Sequence, residues 1–325
     1  MSETNSLELI NKLSQENLDQ YCSKEDIELL VLHTLDINRN TLYRENPALD
    51  DNELKKIAHF IERRNLGEPL AYLFGNKGFW NLDLFIDENV LVPRPETELL
   101  VEKILSLYDS KPLRLLDLGT GSGAIGLSLL SERPSWEVYC SDLSLKALKV
   151  AQENKQNNLA NARLVNANWL SAFEGSSFDV IVSNPPYIDR NDKRLLGDGV
   201  SFEPTEALIS EEKGLKDIRH IIKTSKGYLR DSGCLLVEHA PEQSKDVIDL
   251  FKDYSYSSIR LFQDLNGDDR VSFGKKVNTE LDQHVTNKAL DGMFSLVEVK
   301  ELDIRENKSA RSSDLLTKVF ARQDK

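Results

Sequence analysis

Residues 113–142, LRLLDLGTGSGAIGLSLLSERPSWEVYCSD, decide the fold. LRLLDLG is a short apolar run without alternation, cut off by glycines. AIGLSLLSER behind it has helical spacing, and WEVYCSD is short and apolar again. Such runs suit strands covered on both faces, and the helix between them is the crossover that parallel strands need. The alternation continues through LKALKVAQENKQNN, ARLVNA and FDVIVSN. Later strands are expected at GCLLVEHA, YSSIRLFQ and DRVSFGKK, with helices over 217–229 and 242–251. The expected class is α/β, with a doubly wound, mostly parallel sheet.

Upstream the period changes. From Ser6 to about Leu73 apolar residues recur at three and four spacings, as in Ile27, Leu30, Val31 and Leu35, or Leu54, Ile57, Ala58 and Ile61. This predicts a small helical domain over 1–74, in which Asp50, Asp51 and Glu53 start one helix and Asn65 and Gly67 stop it. The Arg63-Arg64 pair reads as a solvated helix end, with docking of a partner as the alternative. In 75–92, Trp80, Leu82, Leu84 and Ile86 alternate with Asn81, Asp83 and Phe85, which predicts a hairpin linker. The main domain then covers 93–276, and 277–325 is a mixed-charge extension with apolar clusters at 293–299 and 315–320. No function is assigned to that extension.

With 325 residues, 41 basic against 54 acidic and a net charge of -13, the chain exceeds one minimal core and repels a phosphate backbone. Stable nucleic-acid binding is therefore not expected. Cys22, Cys140 and Cys234 lie far apart without CxxC spacing, and the histidines show no ligand spacing, so no metal site is expected. The three thiols suit a reducing compartment. No basic-then-apolar leader and no run of about 18 apolar residues occurs, so the expected location is the cytoplasm, away from membranes.

Asp117-Leu118-Gly119-Thr120-Gly121-Ser122-Gly123 ends a strand and opens a helix, where glycines let a ligand approach the backbone closely. Asp142 ends the next strand, 21 residues beyond Gly121, and is placed to accept from a ribose diol. Together they read as a nucleoside site, for NAD or for S-adenosylmethionine alike. The plain alternative is a tight turn with Asp142 capping the helix near Ser144. FDVIVSN then runs into Asn184-Pro185-Pro186-Tyr187. Two prolines donate no hydrogen bonds, so the strand stops and leaves the Asn184 and Pro185 carbonyls free to accept. An NH2 group donating to the Asn184 side chain and the Pro185 carbonyl would be held with its nitrogen aimed over the glycine loop. Acceptors that follow the hydrogens as such a nitrogen pyramidalises favour the transition state for methyl transfer. A dehydrogenase has no use for them.

These residues resemble the class I S-adenosylmethionine methyltransferases that modify planar amino nitrogens. Within that group the chain is similar to the release factor glutamine N5-methyltransferases, or HemK-type enzymes, from about residue 20 to 275. The resemblance rests on RRNLGEPLAYLFGNKGFWNLDLFID, VLVPRPETELLVE, the glycine loop, NPPYI, FEPTEAL with Gly214-Leu215, LLVEHAPEQ and DLNGDDRVSFGKK. It implies a seven-stranded sheet and S-adenosylmethionine as cofactor, held by Asp117, Gly119, Thr120, Gly121, Ser122, Gly123, Asp142, Trp169 and Asn184. It implies Asn184, Pro185, Pro186 and Tyr187 as the glutamine-amide site, with Asn184, Pro185 and Tyr187 catalytic. Asn168 stands where an acid is usual before Trp169, Ala240 where glycine is usual, and Lys275 where the family often ends in Gly-Arg. The implied substrate is the glutamine of a Gly-Gly-Gln loop on peptide chain release factors 1 and 2, recognised with help from the N-terminal helical domain of a monomer.

Two rivals remain. An amino-methyltransferase acting on adenine in DNA or RNA would need a basic, aromatic face beside Tyr187, whereas IDRNDKRLLGDGVSFEP mixes both signs. A binding protein without catalysis would call for an altered acceptor at Asn184. Arg94 and Glu96 read equally as the rim of the cofactor site or as a Pro-led acidic helix start. Glu238-His239 reads as a satisfied histidine at a strand end rather than an acid-base pair.

Overall fold

The computed structural model describes residues 4–16, 21–277 and 288–300. Its helical N-terminal part holds β1 (Thr4–Asn5), α1 (Ser6–Glu16), α2 (Lys24–Leu35), α3 (Arg39–Glu45), β2 (Ala48–Leu49), α4 (Asp51–Asn65) and α5 (Leu70–Phe74). Capping boxes start two of these helices, Ser23 with Asp26 for α2 and Asp50 with Glu53 for α4. Each box satisfies backbone N–H groups that a helix start leaves unpaired. The apolar stripes meet at Ile27, Leu30, Val31, Leu42 and Ile57, all fully buried in one cluster. Burial of such a side chain stabilises by roughly 1.5–3 kcal/mol.

Arg64 corrects the sequence reading of a solvated helix end. Its side chain is buried, with Nε 3.0 Å from Asp26 and the other two nitrogens 2.7 and 2.6 Å from the Asp198 carboxylate. The Tyr21 ring lies beneath the guanidinium. A buried guanidinium needs that many acceptors. Asp198 lies 134 residues away, so no local pattern could announce it.

The hairpin of β3 (Asn76–Phe79) and β4 (Leu82–Phe85) pairs Asn76 with Phe85 and Phe79 with Leu82. It is no free spacer. Phe79, Leu84 and Ile86 are buried in the same cluster as Leu115, Val138 and Val180 of the main sheet. Buried Asn154 holds it there, accepting from the Phe85 amide at 2.6 Å and donating to the Phe85 carbonyl at 3.0 Å.

After α6 (Glu98–Leu107) the expected alternation follows as β5 (Arg114–Leu118), α7 (Ala124–Glu132), β6 (Glu137–Asp142), α8 (Leu145–Asn157), β7 (Arg163–Asn166) and β8 (Phe178–Ser183). The one-turn helices α9 (Thr205–Leu208) and α10 (Glu211–Gly214) precede α11 (Lys216–Tyr228), β9 (Leu229–Glu238), α12 (Ser244–Asp253), β10 (Tyr256–Gln263) and β11 (Asp269–Lys276). The seven strands order as β10-β11-β9-β8-β5-β6-β7. β11 alone runs antiparallel to its neighbours, and the other adjacent pairs are parallel. Apolar clusters cover both faces. Chain order reverses between β5 and β8, so the loops after these two strands open a crevice at their C-terminal ends.

Residues 288–300 are helical and belong to a separate unit, 277–325. The apolar cluster at 293–299 falls within that helix, and the cluster at 315–320 lies outside the described residues.

Candidate active site

The crevice holds a cavity of about 1270 Å3. Drug-sized ligands occupy pockets of roughly 300–1,000 Å3, so there is room for a nucleoside cofactor and an entering side chain. Gly119, Thr120, Gly121 and Ser122 line it, and so do Asn184, Pro185 and Pro186.

Gly119 and Gly121 take positive φ of +76° and +56°, conformations that residues with a Cβ rarely adopt. In the first turn of α7 the amides of Ala124 and Ile125 have no acceptor among the described residues, and both residues line the cavity. They present a partial positive charge to an anionic group. Gly123 does not line the cavity. It caps α7 at φ +87°, and a Cβ there would meet Leu127 at 2.8 Å. Gly126 lets α7 lie on the sheet, since a Cβ would sit 2.4 Å from the Cys140 sulfur.

Asp117 stands behind the loop, accepting from the Thr120 hydroxyl at 2.5 Å and the Gly126 amide at 3.0 Å. Its other oxygen is buried without a partner among the described residues. Burial pushes its carboxyl up to about 6 against the pull of those two hydrogen bonds. Asp142 lies on the cavity, where one oxygen accepts from the Gly121 amide at 2.9 Å and the other from the Ser144 amide at 2.8 Å, at the start of α8. Desolvation raises its pKa, while backbone amides hold it down. Trp169 rests against the loop, its ring 3.5 Å from where a Gly119 Cβ would stand, and the His220 ring centroid is 6.5 Å away. Glycine backbone, an acceptor for a diol and an indole face fit S-adenosylmethionine. Asn154 also donates to the Ser122 carbonyl at 2.9 Å, tying the loop to the hairpin.

The Ser183 hydroxyl donates to the Leu118 carbonyl at 2.6 Å, so the ends of β8 and β5 are joined. Asn184 donates from Nδ2 to the Thr97 hydroxyl at 3.0 Å, which leaves Oδ1 free to accept. The Pro185 carbonyl accepts no hydrogen bond among the described residues. Tyr187 is half-buried and does not line the cavity. Its hydroxyl donates to Glu238 at 3.2 Å, and its carbonyl accepts from Gln243 at 2.9 Å.

The 93–98 segment gives the cavity Pro93 and Thr97 rather than Arg94 or Glu96. Arg94 pairs with buried Glu203 at 2.6 Å, drawing the 202–208 segment over the site, where Pro204, Glu206 and Ala207 line it. His239 is fully buried; its Nδ1 donates to the Ala240 carbonyl, so Nε2 accepts from Ser272 at 2.8 Å. It is a satisfied histidine. Sequence reasoning missed Thr97, Asn154 and the lining stretch 88–91, because each acts through a partner distant in the chain.

Burial pushes Glu203 and Glu238 up to about 7. Folded protein then binds the Glu238 proton more tightly than unfolded chain, so this acid destabilises the fold increasingly from about pH 4.5 to pH 7. Half-buried His33 and buried His239, whose pKa values are lowered, act with the opposite sign, so a difference between variants isolates the effect. Glu238→Gln is expected to melt with wild type at pH 5 and roughly several degrees above it at pH 8. Parallel melting curves that stay together at pH 8 would contradict the assigned cost.

Three family models match the chain. Methyltransferase small domain covers residues 95–197, PrmC N-terminal domain covers 11–75, and a model described as Protein of unknown function covers 254–321. The Release factor glutamine methyltransferase of Salmonella typhimurium is 39% identical over 271 residues, covering 82% of this chain and 96% of its own. The protein of that name from Buchnera aphidicola subsp. Schizaphis graminum is 41% identical over 269 residues, covering 82% and 96%. That of Escherichia coli is 39% identical over 254 residues, covering 78% and 92%. With relatives this similar over most of its length, the chain belongs to the release factor glutamine methyltransferase family.

Proposed function

We propose that this chain transfers a methyl group from S-adenosylmethionine to the side-chain amide nitrogen of the glutamine in the Gly-Gly-Gln motif of peptide chain release factors 1 and 2. The observation that carries this reading is the pair of oxygens, Asn184 Oδ1 and the Pro185 carbonyl, on residues that line the same cavity as the glycine loop and with no donor to either among the described residues. S-adenosylmethionine supplies an electrophilic methyl on a positively charged sulfur. Asn184 and Pro185 each take one hydrogen of the substrate NH2, fixing its direction of approach. As the amide lone pair is drawn out of conjugation, the N–H bonds become more acidic and those two acceptors tighten on them. The nitrogen loses one proton to water after transfer, so no strong base is required. The aligned geometry replaces a bimolecular encounter by a step within one complex.

Asp142 holds the ribose, Trp169 flanks the adenine, and residues 119–122 cradle the remainder of the cofactor. Tyr187 supports the site from behind. The helical 1–74 part contacts the intact release factor, and the enzyme works as a cytoplasmic monomer without stable nucleic-acid binding. Among the described residues no helix is long and apolar enough to cross a membrane.

The test is incubation with methyl-labelled cofactor and purified release factor, followed by peptide mass mapping. One added methyl on the motif glutamine is expected. Label on another residue, or on DNA or RNA offered in parallel, would overturn the reading.

A further inference from the structure

The chain leaves β8 at Ser183, passes through the acceptor segment 184–187 and loops outward before α9 begins at Thr205. The base of this loop is closed one residue beyond Tyr187, where the Ile188 amide donates to the Leu208 carbonyl and the Ser210 amide to the Ile188 carbonyl, both at 3.0 Å. On its way back the loop supplies Pro204, Glu206 and Ala207 to the cavity.

The far side of the loop rests at three points on the 64–69 stretch and its neighbour Tyr21, where α4 gives way to α5. Asp198 accepts from both terminal nitrogens of buried Arg64, at 2.7 and 2.6 Å, and from the Tyr21 hydroxyl at 2.5 Å. Gly199 lies so near Pro69 that a Cβ would stand 2.7 Å from the ring, and its φ of +75° favours glycine. A Cβ on Gly67 would stand 3.7 Å from the Phe202 ring. Within the helical part Arg64 also has Asp26 at 3.0 Å and the Glu68 carbonyl at 3.2 Å. Asp198 is 61% exposed, so water can serve the guanidinium if that carboxylate is removed. The fold can therefore lose the Asp198 carboxylate, while the loop loses its anchor.

Between Asp198 and α9 the backbone has little slack. The Phe202 and Glu203 amides close a 3-10 turn onto the Gly199 and Val200 carbonyls at 3.0 and 3.1 Å, Pro204 fixes the next φ, and Arg94 holds Glu203 at 2.6 Å. Where Asp198 sits thus bears on where the cavity residues sit.

We propose that Arg64 and Asp198 are positioning residues for methyl transfer, anchoring the loop between Ile188 and Leu208 to the helical part so that the entering release factor meets a cavity wall already in place. The inference rests on the methyl-transfer reading above. A wall that must be ordered during docking subtracts from affinity for the incoming chain and leaves the chemical step of the filled site unaltered.

The test compares full-length wild type, Asp198→Ala, Asp198→Glu and Gly199→Ala. Each is assayed for kcat and KM with intact release factor, for cofactor affinity by calorimetry, and, as free enzyme, for trypsin cleavage after Arg190 and Lys193, both exposed on the loop. In Asp198→Ala, KM for release factor is expected to rise roughly fivefold, a bidentate charged pair discounted for the exposure of one partner. Its kcat should stay within about twofold and its cofactor affinity should not change, while cleavage of the loop quickens. Gly199→Ala should act in the same direction, and Asp198→Glu, which keeps a carboxylate, should lie nearer wild type. A raised KM with cleavage as slow as wild type would make Asp198 a direct contact for the substrate and overturn the inference. A fall in kcat at unchanged KM, or weakened cofactor binding, would mark general loosening and overturn it too. A wild type that leaves glutamine unmethylated would overturn the functional reading itself, and the cleavage arm, which needs no methylation, keeps the two failures apart.

Discussion

Asn184→Ala is expected to lower kcat by about 10²–10³-fold, the range found when one positioned hydrogen-bonding group at a transition state is removed. S-adenosylmethionine should still bind within about threefold of wild type, because the groups proposed to enclose it are chiefly Asp142, Trp169 and the glycine loop. The size of the loss follows from where Asn184 acts. Its oxygen is proposed to meet a hydrogen that becomes acidic only as the nitrogen is methylated, so the contact strengthens along the reaction coordinate. The Pro185 carbonyl remains and supplies one of the two acceptors, which keeps residual turnover above background. Stopped single-turnover assays with saturating cofactor would measure the chemical step directly. A variant rate equal to wild type would remove Asn184 from the reaction.

Asp142→Ala is expected to weaken cofactor binding about 100-fold in titration calorimetry, while the rate at saturating cofactor falls far less. A charged acceptor contributes roughly 1.5–3 kcal/mol per hydrogen bond, and a ribose diol offers two. A second loss adds to the first. Asp142 also accepts from the Gly121 amide, so truncation releases the turn that forms the cofactor wall. Asp142→Asn keeps the shape and one acceptor, and should fall between the two. Identical calorimetric affinities for wild type and Asp142→Ala would refute the ribose assignment.

Legibility in the sequence followed interaction range. The strands from β5 to β8 were readable because each is a short apolar run bounded by glycine, proline or a cap. The glycine loop and the 184–187 segment were readable because backbone freedom and missing amide hydrogens are properties of those residues themselves. The N-terminal helices announced themselves through spacing and through Asp50 and Glu53, three residues apart. What failed to show was partnership. Arg64 looked like a surface charge until Asp198 was seen against it, and Tyr187, expected in the glutamine-amide site, does not line the cavity and has its hydroxyl on Glu238.

The sequence by itself therefore determined the α/β class, the order of the elements and the two loops that meet at the crevice, since periodicity and turn chemistry act within a few residues. Only the tertiary structure decided that the Asn184 amide meets Thr97, that Asn154 ties the glycine loop to the hairpin, and that the hairpin packs into the core of the main sheet. Those outcomes depend on hydrogen bonds between residues 87, 32 and 69 positions apart, and such contacts exist only once packing has closed the chain around them.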